Sequence, residues 1–120
     1  MLTLYEKMSV DRIIEYLTKV HASFQGELNV IESDIVRTKK LIDEAKFSKS
    51  EIQESVDSSY MVLSSSQVAK SQEFAEIDSF EQLIEMRRND LDQLNRKKLI
   101  LEGKLSEVNE IIACAIDLNK

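Results

Sequence analysis

Proline and tryptophan are absent from this sequence of 120 residues, and glycine occurs only twice. Compact sandwiches and α/β domains use glycine and proline in their turns, so this scarcity favours a few long helices. The single cysteine excludes an internal disulfide, and we expect a cytoplasmic protein. The basic residues are dispersed under a net charge of −6, which argues against nucleic acid and anionic membranes as partners.

Long apolar runs are also missing. The longest, such as residues 61–63 and 111–116, are too short to span a bilayer, and we expect no membrane insertion. The first residues do not show a basic segment followed by a long apolar stretch, so we expect no cleaved signal peptide. Hydrophobic residues nevertheless make up 42% of the chain, too many for a disordered protein. They must lie in stripes that bury against another element.

The reactive side chains form no catalytic or metal-binding constellation. With a single histidine and a single cysteine, the chain lacks the set of nitrogen and sulfur ligands that a zinc site needs. A glycine-rich phosphate loop and a nucleophile elbow are also lacking. We predict a non-enzymatic protein with no cofactor and no metal, in which His21 packs in the core and Cys114 is a passive thiol.

Two heptad repeats organise the chain, with apolar residues at the two core positions, a and d, of a coiled coil. The a positions begin at Ile14 and Ile77, and the d positions at Val10 and Phe80. The first run comprises Val10, Ile14, Leu17, His21, Phe24, Leu28, Ile31, Ile35, Thr38, Ile42 and Ala45. The second comprises Ile77, Phe80, Ile84, Arg87, Leu91, Leu94, Lys98, Leu101, Leu105, Val108, Ile112 and Ala115. Two such runs predict an all-α fold, a long antiparallel two-helix coiled-coil hairpin.

The segment between the two runs is rich in serine, which weakens helix interiors. The heptad phase nevertheless persists through Ile52, Val56 and Leu63. We therefore predict a single domain, 1–120, with a helix at about 9–63, a bend at about 64–70 and a helix at about 71–118.

Two further start signals compete with these boundaries. Residues 48–51 and 79–82 both have the pattern of a capping box. They leave open a short extra helix near the serine-rich bend.

The hairpin hypothesis includes a register. Folding the chain about a point near residue 62 brings equal core positions together, a against a and d against d. In that register Leu28 faces Lys98 and Phe24 faces Leu101. A slip by one heptad is the alternative.

Several positions beside the core are apolar, although a two-stranded coil needs no such width. In the hairpin they meet where the ends of the chain meet. They are Leu2, Leu4, Tyr5, Met8, Ile13, Val20, Ile111 and Leu118. An exposed apolar patch is typical of an interaction site, and we predict that a partner protein docks there. The alternative is that the first residues fold back and cover the patch.

Two basic residues, Arg87 and Lys98, occupy core positions. Their stems can pack while their charged ends reach solvent, and we expect them to fix the register or the oligomeric state. Alternatively, Arg87 and Arg88 form a basic stripe with Arg96, Lys97 and Lys98 that binds an acidic protein partner.

Two stretches carry a resemblance to a known family. One is residues 9–14 with Leu17 and Phe24, and the other is residues 84–91 with 96–98. They resemble the FliJ, YscO and InvI family, the central stalk proteins of flagellar and type III secretion ATPases. The resemblance covers most of the chain and is mainly architectural. It implies a stalk that enters the pore of a hexameric export ATPase, links it to the export gate and handles export chaperones, with the apolar patch as its docking tip.

Three other functions stay open. A small helical adaptor or chaperone for secreted effectors, of the type VII kind, has a similar size and pairs with a second small helical protein. A prefoldin-like holdase needs a β-hairpin at its bend, where only residues 60–63 are strand-like. A generic structural coiled-coil dimer is the simplest possibility. The chain is then a monomeric hairpin or part of a homo- or hetero-oligomer.

Overall fold

In the computed structural model the chain forms two long helices, α1 (Leu4–Tyr60) and α2 (Gln67–Leu118). The structure describes residues 2–60 and 67–120, with side chains described for residues 2–57 and 73–120. No strand occurs within the described residues. The all-α helical hairpin predicted from the two heptad runs is confirmed.

Helix α1 begins at Leu4, ahead of the predicted start at about residue 9, because Thr3 caps it. The Thr3 hydroxyl oxygen accepts a hydrogen bond from the backbone N–H of Glu6 (3.1 Å), and the Glu6 carboxylate accepts one from the N–H of Thr3 (3.2 Å). This reciprocal pair is a capping box. The sequence carried the signal for the early start, a threonine followed three residues later by glutamate.

The predicted boundaries near the bend are described only in part. The predicted end of the first helix at about 63 lies outside the described residues, and so does the part of the predicted bend that falls within 61–66. Residues 67–70, which the prediction placed in the bend, are helical because α2 begins at Gln67. The strand-like stretch considered for a holdase lies outside the described residues except for Tyr60, where α1 ends.

Neither of the two competing capping boxes starts a helix. Residues 48–51 lie inside α1, and residues 79–82 lie inside α2. The hydroxyl of Ser79 instead donates to the carbonyl of Ala75 (3.0 Å), one turn earlier in the same helix. The short extra helix is therefore not formed in the part of the chain that the structure describes.

The chain divides into two packed units. The terminal unit consists of Met1–Asp34 and Leu94–Lys120, and the middle unit consists of Ile35–Gln93. In the terminal unit, the early residue Asp11 of α1 contacts Asn119 near the end of α2, whereas the later Glu32 contacts Lys98. The order of contacts along α2 is reversed, so the two helices are antiparallel.

Burial follows the heptads in both units. Every hydrophobic residue that is buried among the described side chains occupies an a or d position, and no polar or charged residue is buried there. These residues are Leu28, Ile35, Ile42, Ala45, Val56, Ile77, Ile84, Leu101, Leu105, Val108 and Ala115. The a and d positions together, which we call the seam, are therefore the hydrophobic core of the fold.

The register in the terminal unit differs from the predicted one by about one helical turn. Lys98, predicted to face Leu28, forms an ion pair with Glu32 (3.9 Å). The ammonium of Lys104 lies 5.5 Å from the centre of the Phe24 ring. Leu28 clusters with Leu101 and Leu105, and Phe24 packs against this cluster. These contacts place Leu28 opposite Leu101 and Phe24 opposite Leu105, so that an a position faces a d position.

The middle unit has the same stagger. The Lys49 ammonium lies 3.0 Å from the Glu81 carboxylate, and Ala45 clusters with Ile84. The stagger arises because each Cα–Cβ bond tilts toward the N-terminus of its own helix. Side chains of antiparallel helices therefore lean in opposite directions, and equal heptad positions do not meet as they do in a parallel pair.

Candidate interaction surfaces

Helix α1 extends beyond the level at which α2 ends. At that level the side-chain amide of Asn119 donates a hydrogen bond to the carboxylate of Asp11. Helix α2 ends at Leu118, so residues about a turn or more before Asp11 have no residue of α2 opposite them. Three large apolar residues lie in this overhang, and they are 77%, 79% and 51% exposed: Leu4, Tyr5 and Met8. We call these three residues the tip.

The tip is helical and does not fold back. Because α1 runs without a break from Leu4, its first residues cannot cover the remaining apolar residues of the predicted patch. That alternative is therefore wrong for residues 4–8. The capping box at Thr3 and Glu6 holds the overhang in its helical conformation.

Leu2 of the predicted patch precedes α1 and is half-buried. The other four residues of the patch lie on one side of the terminal unit. Ile13 and Val20 occupy g positions of α1, and Ile111 and Leu118 occupy g positions of α2. In the staggered register Ile13 is level with Leu118, and Val20 is level with Ile111. Three of the four are more than half exposed, and Val20 is half-buried. The structure thus divides the predicted patch into the tip and a separate flank.

Two c positions widen this flank. Tyr16, which is 67% exposed, lies three residues after Ile13 and four before Val20, on the same helical face. Cys114 is exposed and has the equivalent place between Ile111 and Leu118. We call these six residues the lateral face. The sequence analysis missed Tyr16 as a surface residue, although its spacing from Ile13 and Val20 carried the signal.

His21 lies half-buried in the seam. It borders a shallow groove, whose lining includes Gln25, Glu102, Leu105 and Asn109. No three side chains of His, Cys, Asp or Glu come together as a metal site among the described side chains of residues 2–57 and 73–120. The placement of His21 agrees with a core role.

Two of the basic residues considered for a stripe, Arg87 and Arg88, lie in the middle unit. Arg87 is half-buried at its d position and lies 3.6 Å from Asp90. Arg88 is exposed and borders an open groove of the middle unit, which is also lined by Lys46, Glu81 and Glu85. Lysines and arginine thus alternate with glutamates in this groove. Basic and acidic side chains therefore share this groove, and the binding of an acidic partner by the basic residues stays a prediction.

Comparisons with known proteins do not assign the chain to a family. No protein-family model matches the chain, and neither a curated protein nor a solved structure is significantly similar to it. No helix among the described residues has a stretch apolar enough to cross a membrane. The coiled-coil hairpin is therefore the part of the family resemblance that the structure supports.

Proposed function

We propose that this protein is a non-enzymatic coiled-coil component that binds other proteins, as a stalk or adaptor of a protein export apparatus. The observation that carries this proposal is the tip. Leu4, Tyr5 and Met8 expose large apolar side chains on a capped helix end that no second helix covers. Removing such surface from water contributes about 25 cal/mol per Å², and exposed apolar surface of this kind is typical of a docking site.

The seam supports the stalk form of the proposal. The described buried residues all belong to the seam, so the hairpin satisfies its core internally and can present its tip without unfolding. A docking tip on a self-contained hairpin fits insertion into a ring of subunits, as the resemblance to export stalk proteins implies. Its expected partners are a hexameric export ATPase, the export gate and secretion chaperones.

Binding to a purified hexameric export ATPase tests the proposal. We expect the native chain to bind the ring, and a variant with Leu4→Ser, Tyr5→Ser and Met8→Ser to lose binding while keeping its helical circular dichroism spectrum. Leu99→Ser is the matched control, because Leu99 is 68% exposed but lies on α2 away from the tip. Equal binding by the native chain and the tip variant would refute the role of the tip.

A quantitative pull-down from the native cell separates the open alternatives. Loss of an export ATPase from the tip variant's captured proteins supports the stalk. Capture of only a small helical secretion protein rejects the stalk and favours an adaptor for secreted effectors.

A further inference from the structure

We propose that the lateral face binds a second copy of this chain, forming a two-fold symmetric four-helix bundle around the terminal units. The inference goes beyond the proposed function because it concerns a different surface. The lateral face of the tip-proximal end contains Ile13, Tyr16, Ile111 and Leu118, each at least half exposed. A second copy is the occupant that the charge pattern beside these residues selects.

Two columns of side chains continue from the lateral face along the terminal unit. Both columns alternate between g and c positions, which share one side of a coiled-coil helix. On α1 the column continues with Ser23, Glu27, Val30 and Asp34. On α2, followed in the opposite direction, it continues with Glu107, Lys104, Ile100 and Lys97. Val30 and Ile100 are 61% and 60% exposed, so apolar surface extends beyond the lateral face.

The two columns match level by level in the observed register. Apolar residues are level with apolar residues or with the thiol of Cys114, and acidic residues of α1 are level with lysines of α2. From the end of α2 onward the levels are Ile13 with Leu118, Tyr16 with Cys114, Val20 with Ile111, Ser23 with Glu107, Glu27 with Lys104, Val30 with Ile100, and Asp34 with Lys97. Glu27 and Asp34 of α1 are thus level with Lys104 and Lys97 of α2, whereas the acidic Glu107 of α2 is level with Ser23.

A two-fold axis parallel to the helices brings the matching levels of the two columns together. It places α1 of one copy on α2 of the other at the same level, because rotation about the helix direction leaves heights unchanged. Each apolar level then meets an apolar level of the second copy, and Glu27 meets Lys104. Asp34, which already has a partner in its own chain, lies at the level of Lys97. All neighbouring helices in the resulting bundle are antiparallel.

A perpendicular two-fold axis is disfavoured by the same charges. It would place α1 on α1 in opposite directions, centred on the column. Glu27 would then meet Val20, and Asp34 would meet Ile13. Burying carboxylates against apolar side chains is costly, so for an interface that covers the whole column the charge pattern selects the parallel axis.

The available area suffices for a dimer. The column from Ile13 to Asp34 is about 32 Å long, and two neighbouring helices are about 20 Å wide. The interface would bury about 600 Å² per copy and about 1,200 Å² in total, at the lower end of specific interfaces. We therefore infer a dimer whose population depends on protein concentration.

Sedimentation equilibrium of the full chain tests the inference. We expect a monomer–dimer equilibrium for the native chain, and a dissociation constant raised about 100-fold or more by Ile111→Glu, which buries a charge in the interface. Leu99→Glu is the control, since Leu99 is exposed at a b position outside the columns, and it should leave the constant unchanged. Circular dichroism checks that both variants keep their helices.

Disulfide formation between cysteines of two copies tests the symmetry of the proposed dimer. In the proposed dimer Cys114 lies opposite Tyr16 of the second copy, whereas the two Cys114 residues lie on diagonally opposed helices. We therefore expect Tyr16→Cys to form a covalent dimer with the native Cys114, and neither the native chain nor Tyr16→Cys combined with Cys114→Ser to do so.

Three outcomes would overturn the inference. The first is a native chain that stays monomeric at about 100 μM, within the range where an interface of this size associates. The second is a dimer whose dissociation constant does not change with Ile111→Glu. The third is a disulfide between two native Cys114 residues, which requires a different axis. Retained tip binding in the Ile111→Glu variant would separate this inference from the proposed function.

Discussion

Leu99 and Leu101 of α2 are 68% and 6% exposed, although they are two residues apart. Two residues turn about 200° around a helix, so Leu101 contacts the Leu28 cluster while Leu99 projects to solvent. The heptad position, and not hydrophobicity, therefore sets what each leucine contributes to the free energy of unfolding.

Substituting these two leucines by alanine should separate the two contributions. We expect Leu101→Ala to lower the free energy of unfolding by about 2–4 kcal/mol, through lost burial and a residual cavity. Leu99→Ala should change it by less than about 0.5 kcal/mol. Urea unfolding of both variants measures the difference, and similar losses would contradict the assignment of the seam.

The basic seam residues contribute little through their ion pairs. The side chains of Arg87 and Lys98 are each 37% exposed, and their carboxylate partners lie 3.6–3.9 Å away. Pairs this exposed stabilise a protein by about 0–1 kcal/mol. We still expect them to fix the register, because a slipped register would bury their charges against apolar residues.

At the scale of the helices, hydroxyl groups act in two opposite ways. The Thr3 hydroxyl accepts from a backbone N–H that no helical carbonyl can reach. The Thr18 hydroxyl donates to the Ile14 carbonyl (2.7 Å), which already serves the helix. The first interaction defines the start of α1, and the second is not needed for the helix.

Alanine at these two threonines should have effects of opposite sign. Thr3→Ala removes the cap and should lower the free energy of unfolding by about 0.5–2 kcal/mol. Thr18→Ala replaces a β-branched residue in an exposed helix interior and should raise it by about 0.5 kcal/mol. Thermal unfolding of both variants checks the signs, and equal losses would refute the capping role of Thr3.

The two glycines are the weakest points of the helical backbone. Gly26 and Gly103 lie inside α1 and α2, have no positive φ, and have no neighbour that an added Cβ would approach within 4 Å. We expect Gly26→Ala and Gly103→Ala each to raise the free energy of unfolding by about 0.5–1 kcal/mol. The reverse change, Ala22→Gly, should lower it similarly. Loss of stability in both glycine variants would contradict this account.

The heptads carried most of the information about the helices. They identified every described buried residue, because a 3.5-residue stripe is buried only against a second helix. The stagger was not predicted, because equal heptad positions were paired as in a parallel coil. The division of the apolar patch followed from the same error, since the overhang of Leu4, Tyr5 and Met8 depends on where α2 ends against α1.

In the molecule as a whole, the apolar residues lie in two kinds of place, the buried seam and the exposed surfaces. The seam closes each unit on itself, while the tip and the lateral face stay exposed in the described structure. A net charge of −6 helps keep such a protein in solution. The hairpin buries its core internally and leaves these two surfaces exposed; we propose that the tip binds export machinery and that the lateral face binds a second copy.

The two helices pack antiparallel within one chain, and the rest of the structure depends on this packing. Gln25 and Glu102 border the same groove of the terminal unit, and pulsed electron paramagnetic resonance can place spin labels there. We would label Gln25→Cys together with Glu102→Cys, Asn109→Cys or Ile116→Cys, each in a Cys114→Ser background and diluted with unlabelled chain so that only distances within one molecule are measured.

We expect the distance from position 25 to be shortest to position 102, longer to position 109 and longest to position 116. Position 116 lies about 20 Å from position 102 along α2. A shortest distance to position 116, or no short distance within a single chain, would contradict the hairpin.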